Sequence, residues 1–134
     1  MKTCSYSGGQ VTLGGIPVAD VVFDHIGDLP NLKHLGVNWT QVTGAGLAKM
    51  KHSRLVGIDV GGVRNIMPAL QRFKAMGTLK SINFDRVDIP PEGFLLIGHM
   101  KTPKQMWFRN GLVPQDQLDF LRKELPNCNI SLHQ

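Results

Sequence analysis

The residues of this chain whose types could do chemistry are five histidines, two cysteines and a spaced set of carboxylates. Zinc binding or nucleophilic catalysis requires such groups in partnership, at short ligand spacings or beside a base. His25, His52, His99 and His133 have no Cys, His or carboxylate partner at a ligand spacing, and no HExxH, GxSxG or GxxxxGK[ST] occurs. Cys4 and Cys128 are too few for a disulfide framework. The one oxygen-rich constellation is Asp59, Asn83 and Asp85. On adjacent strands about 4.8 Å apart, their oxygens could meet on a hard cation such as Ca²⁺, although solvated acids are the commoner use of such residues. Asn38-Trp39-Thr40 and Asn129-Ile130-Ser131 fit the N-glycosylation sequon, which means little without a secretory signal. The expectation is no catalytic residue, no metal ligand and no cofactor.

The 134 residues, 42% hydrophobic and 19% charged, suit one ordinary domain that buries a core without staples. There is no apolar run of about 18 residues, and MKTCSYSGGQ has no apolar segment after its lysine. The expected location is therefore cytoplasmic, with no membrane contact. A net charge of +5 raises the question of an acidic partner, which depends on whether the basic residues share a face.

What positions these groups is a repeat. In NLKHLGVNWTQVTGAGLAKMK the apolar skeleton is Leu32, Leu35, Val37, Val42, Leu47 and Met50. It returns 23 to 24 residues on as Leu55, Ile58, Val60, Leu70 and Phe73, then as Leu79, Ile82, Phe84, Ile89, Phe94 and Ile97. Copies also run through Met106, Phe108, Val113, Leu118 and Leu121, and back through Val11, Leu13, Val18, Phe23 and Ile26. Five copies, roughly 7–30, 31–53, 54–77, 78–101 and 102–125, tile the chain. Each begins with strand alternation (LKHLGV, LVGIDV, LKSINF, PKQMWF) and continues with apolar spacings of three, as in a helix. Pro17, Pro68, Pro90-Pro91 and Pro114 fall near the helix starts, where Thr43 or Asn65 can cap. Neither element is long enough to stand alone, so the copies must stack.

The pattern LxxLxVxxTxVTxxGLxxM, carried in full by Leu32, Leu35, Val37, Thr40, Val42, Gly46-Leu47 and Met50, resembles the leucine-rich repeat family. It is most similar to the bacterial, ribonuclease-inhibitor-like or cysteine-containing type with about 24-residue repeats, and Leu125-Pro126-Asn127-Cys128-Asn129-Ile130 resembles the closing segment of such arrays. Gly8, Pro103 and Gly111 depart from the pattern in the terminal copies, and Val63 and Val87 replace Thr40. The resemblance implies an α/β solenoid, a right-handed β-α superhelix of about five repeats. Its parallel sheet would be concave and its short helices convex. It also implies a single domain over 1–134, closed by residues 126–134.

On that plan the outward strand positions are Thr12, Gly36, Asp59, Asn83 and Trp107, preceded by Gln10, His34, Gly57, Ser81 and Gln105. They are followed by Gly14, Asn38, Gly61, Asp85 and Arg109, with Trp39 and Arg86 at the rim. Candidate contacts for a protein partner are His34, Asn38, Trp39, Asp59, Asn83, Asp85, Arg86, Trp107 and Arg109. Trp and Arg are the types most enriched at binding hot spots, though Trp107 would equally serve to cover an open last strand. Lys49, Lys51, Arg54, Arg72, Lys74, Lys101, Arg122 and Lys123 fall at or just past helix ends, where the helix dipole favours positive charge. Nucleic acid is accordingly disfavoured. Cys4 and Cys128 would lie about five strand spacings apart, far beyond the limit of about 7 Å between Cα atoms of a disulfide. The expected function is non-catalytic protein binding through the concave sheet. The alternative is a structural or self-associating repeat segment of a larger assembly, either a longer array or a homodimer made through the repeat ends.

Overall fold

The computed structural model describes residues 5–7, 9–26, 32–50, 54–109 and 111–133. The change of period within each copy is a change of element. The alternating stretches form strands β2 (Gln10–Thr12), β3 (His34–Gly36), β4 (Gly57–Asp59), β5 (Ser81–Phe84) and β6 (Gln105–Arg109). Two more, β1 (Ser5–Ser7) and β7 (Asn129–His133), lie outside the expected five. The stretches between them hold α1 (Phe23–Ile26), entered through a 3-10 turn at Asp20–Val22, then α2 (Gly44–Leu47), α3 (Met67–Lys74), α4 (Pro91–Gly98) and α5 (Gln115–Glu124). Met50, spaced as if helical, falls beyond the end of α2.

All seven strands join one sheet in chain order. β2 to β7 run parallel and alternate with the short helices, while β1 turns back antiparallel on β2. Gln10 pairs with His34, His34 with Gly57, Gly57 with Ser81, Ser81 with Gln105, and Gln105 with Asn129. Each strand is thus displaced by one copy of the sequence repeat. The sheet extends beyond the expected copies at both ends. The closing segment supplies a sixth parallel strand, so β6 is interior and Trp107 covers no open edge. At the other end, the polar Ser5–Ser7 supplies a hairpin strand. Gly8, which follows it, lies outside the described residues.

One face of the sheet is sealed against the helices. Val11, Leu35, Ile58, Ile82, Met106 and Ile130 form a buried column along the register, and Leu13, Val37, Val60, Phe84 and Phe108 form a second. Leu47, Leu70, Phe73, Phe94, Ile97 and Leu121 close it from the helix side. Burial of such a side chain contributes about 1.5–3 kcal/mol, and here the burying surface belongs largely to the next copy. The Phe84 and Phe108 rings, for instance, stack with centroids 5.2 Å apart.

Pro68 lies in the first turn of α3, Pro91 opens α4, and Pro90 and Pro114 occupy N-cap positions, where a missing N–H costs nothing. Pro17, by contrast, precedes the Asp20–Val22 turn and belongs to no helix. Neither expected side-chain cap forms. Thr43 sits at the N-cap of α2, but its hydroxyl donates to Asp20 Oδ2 at 2.6 Å, a charge-assisted bond that outcompetes a helix N–H. Asn65 has φ 54°, and Ile66 takes the N-cap of α3.

Candidate binding face

The opposite face of the sheet is open, and the parallel register aligns its outward side chains in rows. At the ends of the strands the ladder runs on into the turns. Gly15 N–H donates to Asn38 O, Trp39 N–H to Gly61 O and Gly62 N–H to Asp85 O, at 2.9–3.0 Å. Those donors, together with Arg86, all have φ between 55° and 76°. At this equivalent turn position the stacking therefore imposes a left-handed residue in each of the first four copies. Glycine takes that conformation freely, whereas Trp39 (58°) and Arg86 (55°) hold it as larger residues.

Trp39 and Arg86 belong together. The Trp39 ring lies so close over Gly62 that a Cβ there would be 2.6 Å from Cε3. The Arg86 guanidinium carbon reaches across to 5.8 Å from the centre of the same ring. A cation over an aromatic face is thus built across three successive turns, with Trp39 still 49% exposed.

In the middle of the face is a shallow depression of about 310 Å³. Its floor includes bare backbone at Gly36, with the buried Gly57 beside it. A Cβ on Gly57 would stand 2.8 Å from both His34 Nδ1 and Ser81 Oγ, so these two side chains close over it. Gln10 and Thr12 border one side, Asn83 and Trp107 the other, and Asn38 and Asp59 also line the depression. Of the nine expected contact residues, His34, Asn38, Asp59, Asn83 and Trp107 meet here. Asp85, Arg109, Trp39 and Arg86 do not line it.

The two aspartates have different partners. Asp85 is forked by Arg109 from the next strand, Nη2 to Oδ2 at 3.1 Å and Nε to Oδ1 at 3.0 Å, the second being an ion contact with poorer hydrogen-bond geometry. Asp59 accepts the Gly61 N–H on Oδ1 at 3.0 Å, and among the described residues no lysine or arginine pairs with it. Burial raises its pKa above the ordinary aspartate value and the Asp85 charge adds to the rise. The Gly61 N–H and the Asn83 side chain act the other way. Asn83 repeats the Asp59 geometry one copy on, accepting the Asp85 N–H at 2.9 Å. Each of the three residues thus turns an oxygen to a different donor. Among the described residues no group of three His, Cys, Asp or Glu is placed to hold a metal ion.

The basic residues of the helix ends lie elsewhere. Arg72 Nε donates to Met50 O at 3.0 Å, and Lys101 Nζ bonds Gly98 O and Glu124 O at 3.0 and 2.9 Å. These cations tie one helix end to the next, beyond the dipole effect expected of them. Lys51, His52 and Cys4 lie outside the described residues, and Cys128 is a half-buried free thiol. The contact that sequence reasoning missed is the bond between Asp20 and Thr43. Its only trace is a separation of one repeat. Among the described residues no helix is long and apolar enough to cross a membrane. No protein-family model matches the chain, and no curated protein matches it in sequence.

Proposed function

We propose that the chain is a solenoid of the leucine-rich repeat type that binds another protein on its concave, open sheet face and catalyses no reaction. The observation that carries this reading is the contrast between the two faces of one sheet. One is sealed by helices, while the other aligns polar and aromatic side chains in rows around a glycine-floored depression. A surface that is broad, shallow and mixed in character suits a protein segment better than a small substrate, which takes a deeper enclosure. Binding to nucleic acid draws less support, because Arg72 and Lys101 are engaged with backbone carbonyls. A cytoplasmic location goes with this reading.

The test is a selection from a displayed random-peptide library on the wild-type protein, with the recovered ligands then measured on two variants. A Cβ on Gly36 would make only ordinary contacts, 3.5 Å to Asn38 and 3.8 Å to Thr12, so Gly36→Tyr blocks the face without moving the backbone. Leu95→Glu changes the exposed helix side. Loss on Gly36→Tyr with retention on Leu95→Glu is expected, and the reverse contradicts the reading.

A second reading, self-association through the repeat ends, has one observation in its favour. Beyond β7 no further strand pairs among the described residues, which leaves a five-residue edge at Asn129–His133. Light scattering across a concentration series tests it. A monomer throughout is the contrary result.

A further inference from the structure

The depression on the open face carries a more specific assignment, which rests on the proposed function and narrows it. We propose that Asp59, Asn83 and Trp107 form a notch that receives the guanidinium of an arginine side chain presented by a protein partner.

The geometry is set by register. Asp59 pairs with Asn83 and Asn83 with Trp107, so a carboxylate and an indole stand at the same level two strand spacings apart, roughly 9–10 Å, with a short amide between them. A planar cation lying over Asn83 fills that gap. It reaches the carboxylate at hydrogen-bond distance and lies within about 6 Å of the ring. Guanidinium suits the site better than ammonium because it can stack on the indole while its edge bonds the carboxylate. A hard metal ion does not suit it, since Ca²⁺ takes about 6–8 oxygens and the notch offers one carboxylate beside an aromatic ring.

Charge complementarity points the same way. The chain carries +5 overall, yet Asp59 is the sole carboxylate among the residues lining the depression, and His34 is the only other titratable group there. The neighbouring acid, Asp85, already has its guanidinium in Arg109. Asp59, whose register neighbour on the next strand is Asn83, has none among the described residues. Its burial without a counter-charge raises its pKa, a cost that an incoming cation offsets. The bare backbone at Gly36, where a Cβ would make only ordinary contacts, leaves room for the segment that bears the arginine.

The chain has two tryptophans, so the indole N–H signals of Trp107 and Trp39 provide a probe and an internal reference. The experiment titrates ¹⁵N-labelled protein with N-acetyl-arginine methylamide at about pH 8. N-acetyl-glutamine methylamide and CaCl₂ serve as controls. The expected result is a saturable shift of the Trp107 signal with a Kd on the order of 1–10 mM. Added salt should weaken it, and neither control should reproduce it.

Asp59→Asn should weaken the binding at least about fivefold. That variant keeps the fold, because asparagine already makes the same turn bond at Asn83. Equal and non-saturating shifts of both indoles, a matching response to CaCl₂, or an unchanged Kd in Asp59→Asn would each overturn the assignment. If the arginine probe fails while Gly36→Tyr still abolishes the selected peptides, the notch is wrong and the concave-face reading stands. If Gly36→Tyr has no effect on those peptides, the broader reading falls whatever the probe does.

Discussion

Asp20 and Thr43, one repeat apart, are joined twice: the Thr43 N–H donates to Asp20 Oδ1 at 2.7 Å and the Thr43 hydroxyl to Oδ2 at 2.6 Å. The same carboxylate fills the space in front of Gly46, where a Cβ would collide with it. The contact fastens the first copy, whose helix is only four residues long, to the start of the second. Loss of two charge-assisted bonds in Asp20→Ala should lower stability by about 1–3 kcal/mol. Asp20→Asn, which keeps an acceptor for the N–H, should lose less. Urea unfolding midpoints of the three proteins check the order.

Gly44 is a position of close approach between copies. A Cβ there would meet Asn65 O, with Asn65 C at 2.9 Å and Ile66 Cα at 3.0 Å, all backbone that cannot rotate away. Gly44→Ala should therefore cost about 1–3 kcal/mol. At Gly77 an added Cβ meets nothing within 4 Å, so Gly77→Ala should stay within about 0.5 kcal/mol of wild type. Equal effects in thermal or urea unfolding would contradict the packing described at Gly44.

Asp59 makes stability depend on pH. Its folded-state pKa is raised, so the folded protein holds the proton more tightly than the unfolded chain does. Its contribution is fully present below the unfolded value of about 3.9 and is lost as pH rises through the folded value. Asp59→Asn should thus be more stable than wild type at neutral pH, with the gap closing towards about pH 4. Asp85 and His34 are the other charged or titratable groups near it, so the comparison is repeated in a His34→Gln background. A gap that widens on acidification would reverse the sign of the argument.

Arg86, held at φ 55°, should tolerate glycine and reject β-branched residues. A non-glycine residue in this region costs about 1–2 kcal/mol, and branching at Cβ adds to that. Arg86→Val should therefore be less stable than Arg86→Gly by about 1–2 kcal/mol. Both variants should alter Trp39 fluorescence by removing the cation from its ring.

The parallel strands and the core were legible because the skeleton positions repeat. Leu35, Ile58, Ile82 and Met106 sit where their spacing puts them, and the outward rows follow from alternation. What the sequence concealed depends on contacts between copies. Nothing local marks Asp20 as the partner of Thr43, or Asp85 rather than Asp59 as the partner of Arg109. Trp39 and Arg86 could not be recognised as left-handed residues, because the ladder imposes that conformation against their own preference. β7 is hidden because Asn129-Ile130-Ser131-Leu132 is a strand without the helical spacing that marks the other copies. An edge-covering role for Trp107, the alternative to a binding contact, falls away because β7 pairs with β6.

The central claim, that the open sheet face binds the partner, is tested most directly by amide hydrogen exchange on the wild-type protein with and without a ligand recovered from the peptide selection. The account predicts added protection in the β3 to β6 segments, centred on Gly36, Asp59, Asn83 and Trp107, with α3, α4 and α5 unchanged. Protection confined to the helices, with those strands unaffected, would contradict it.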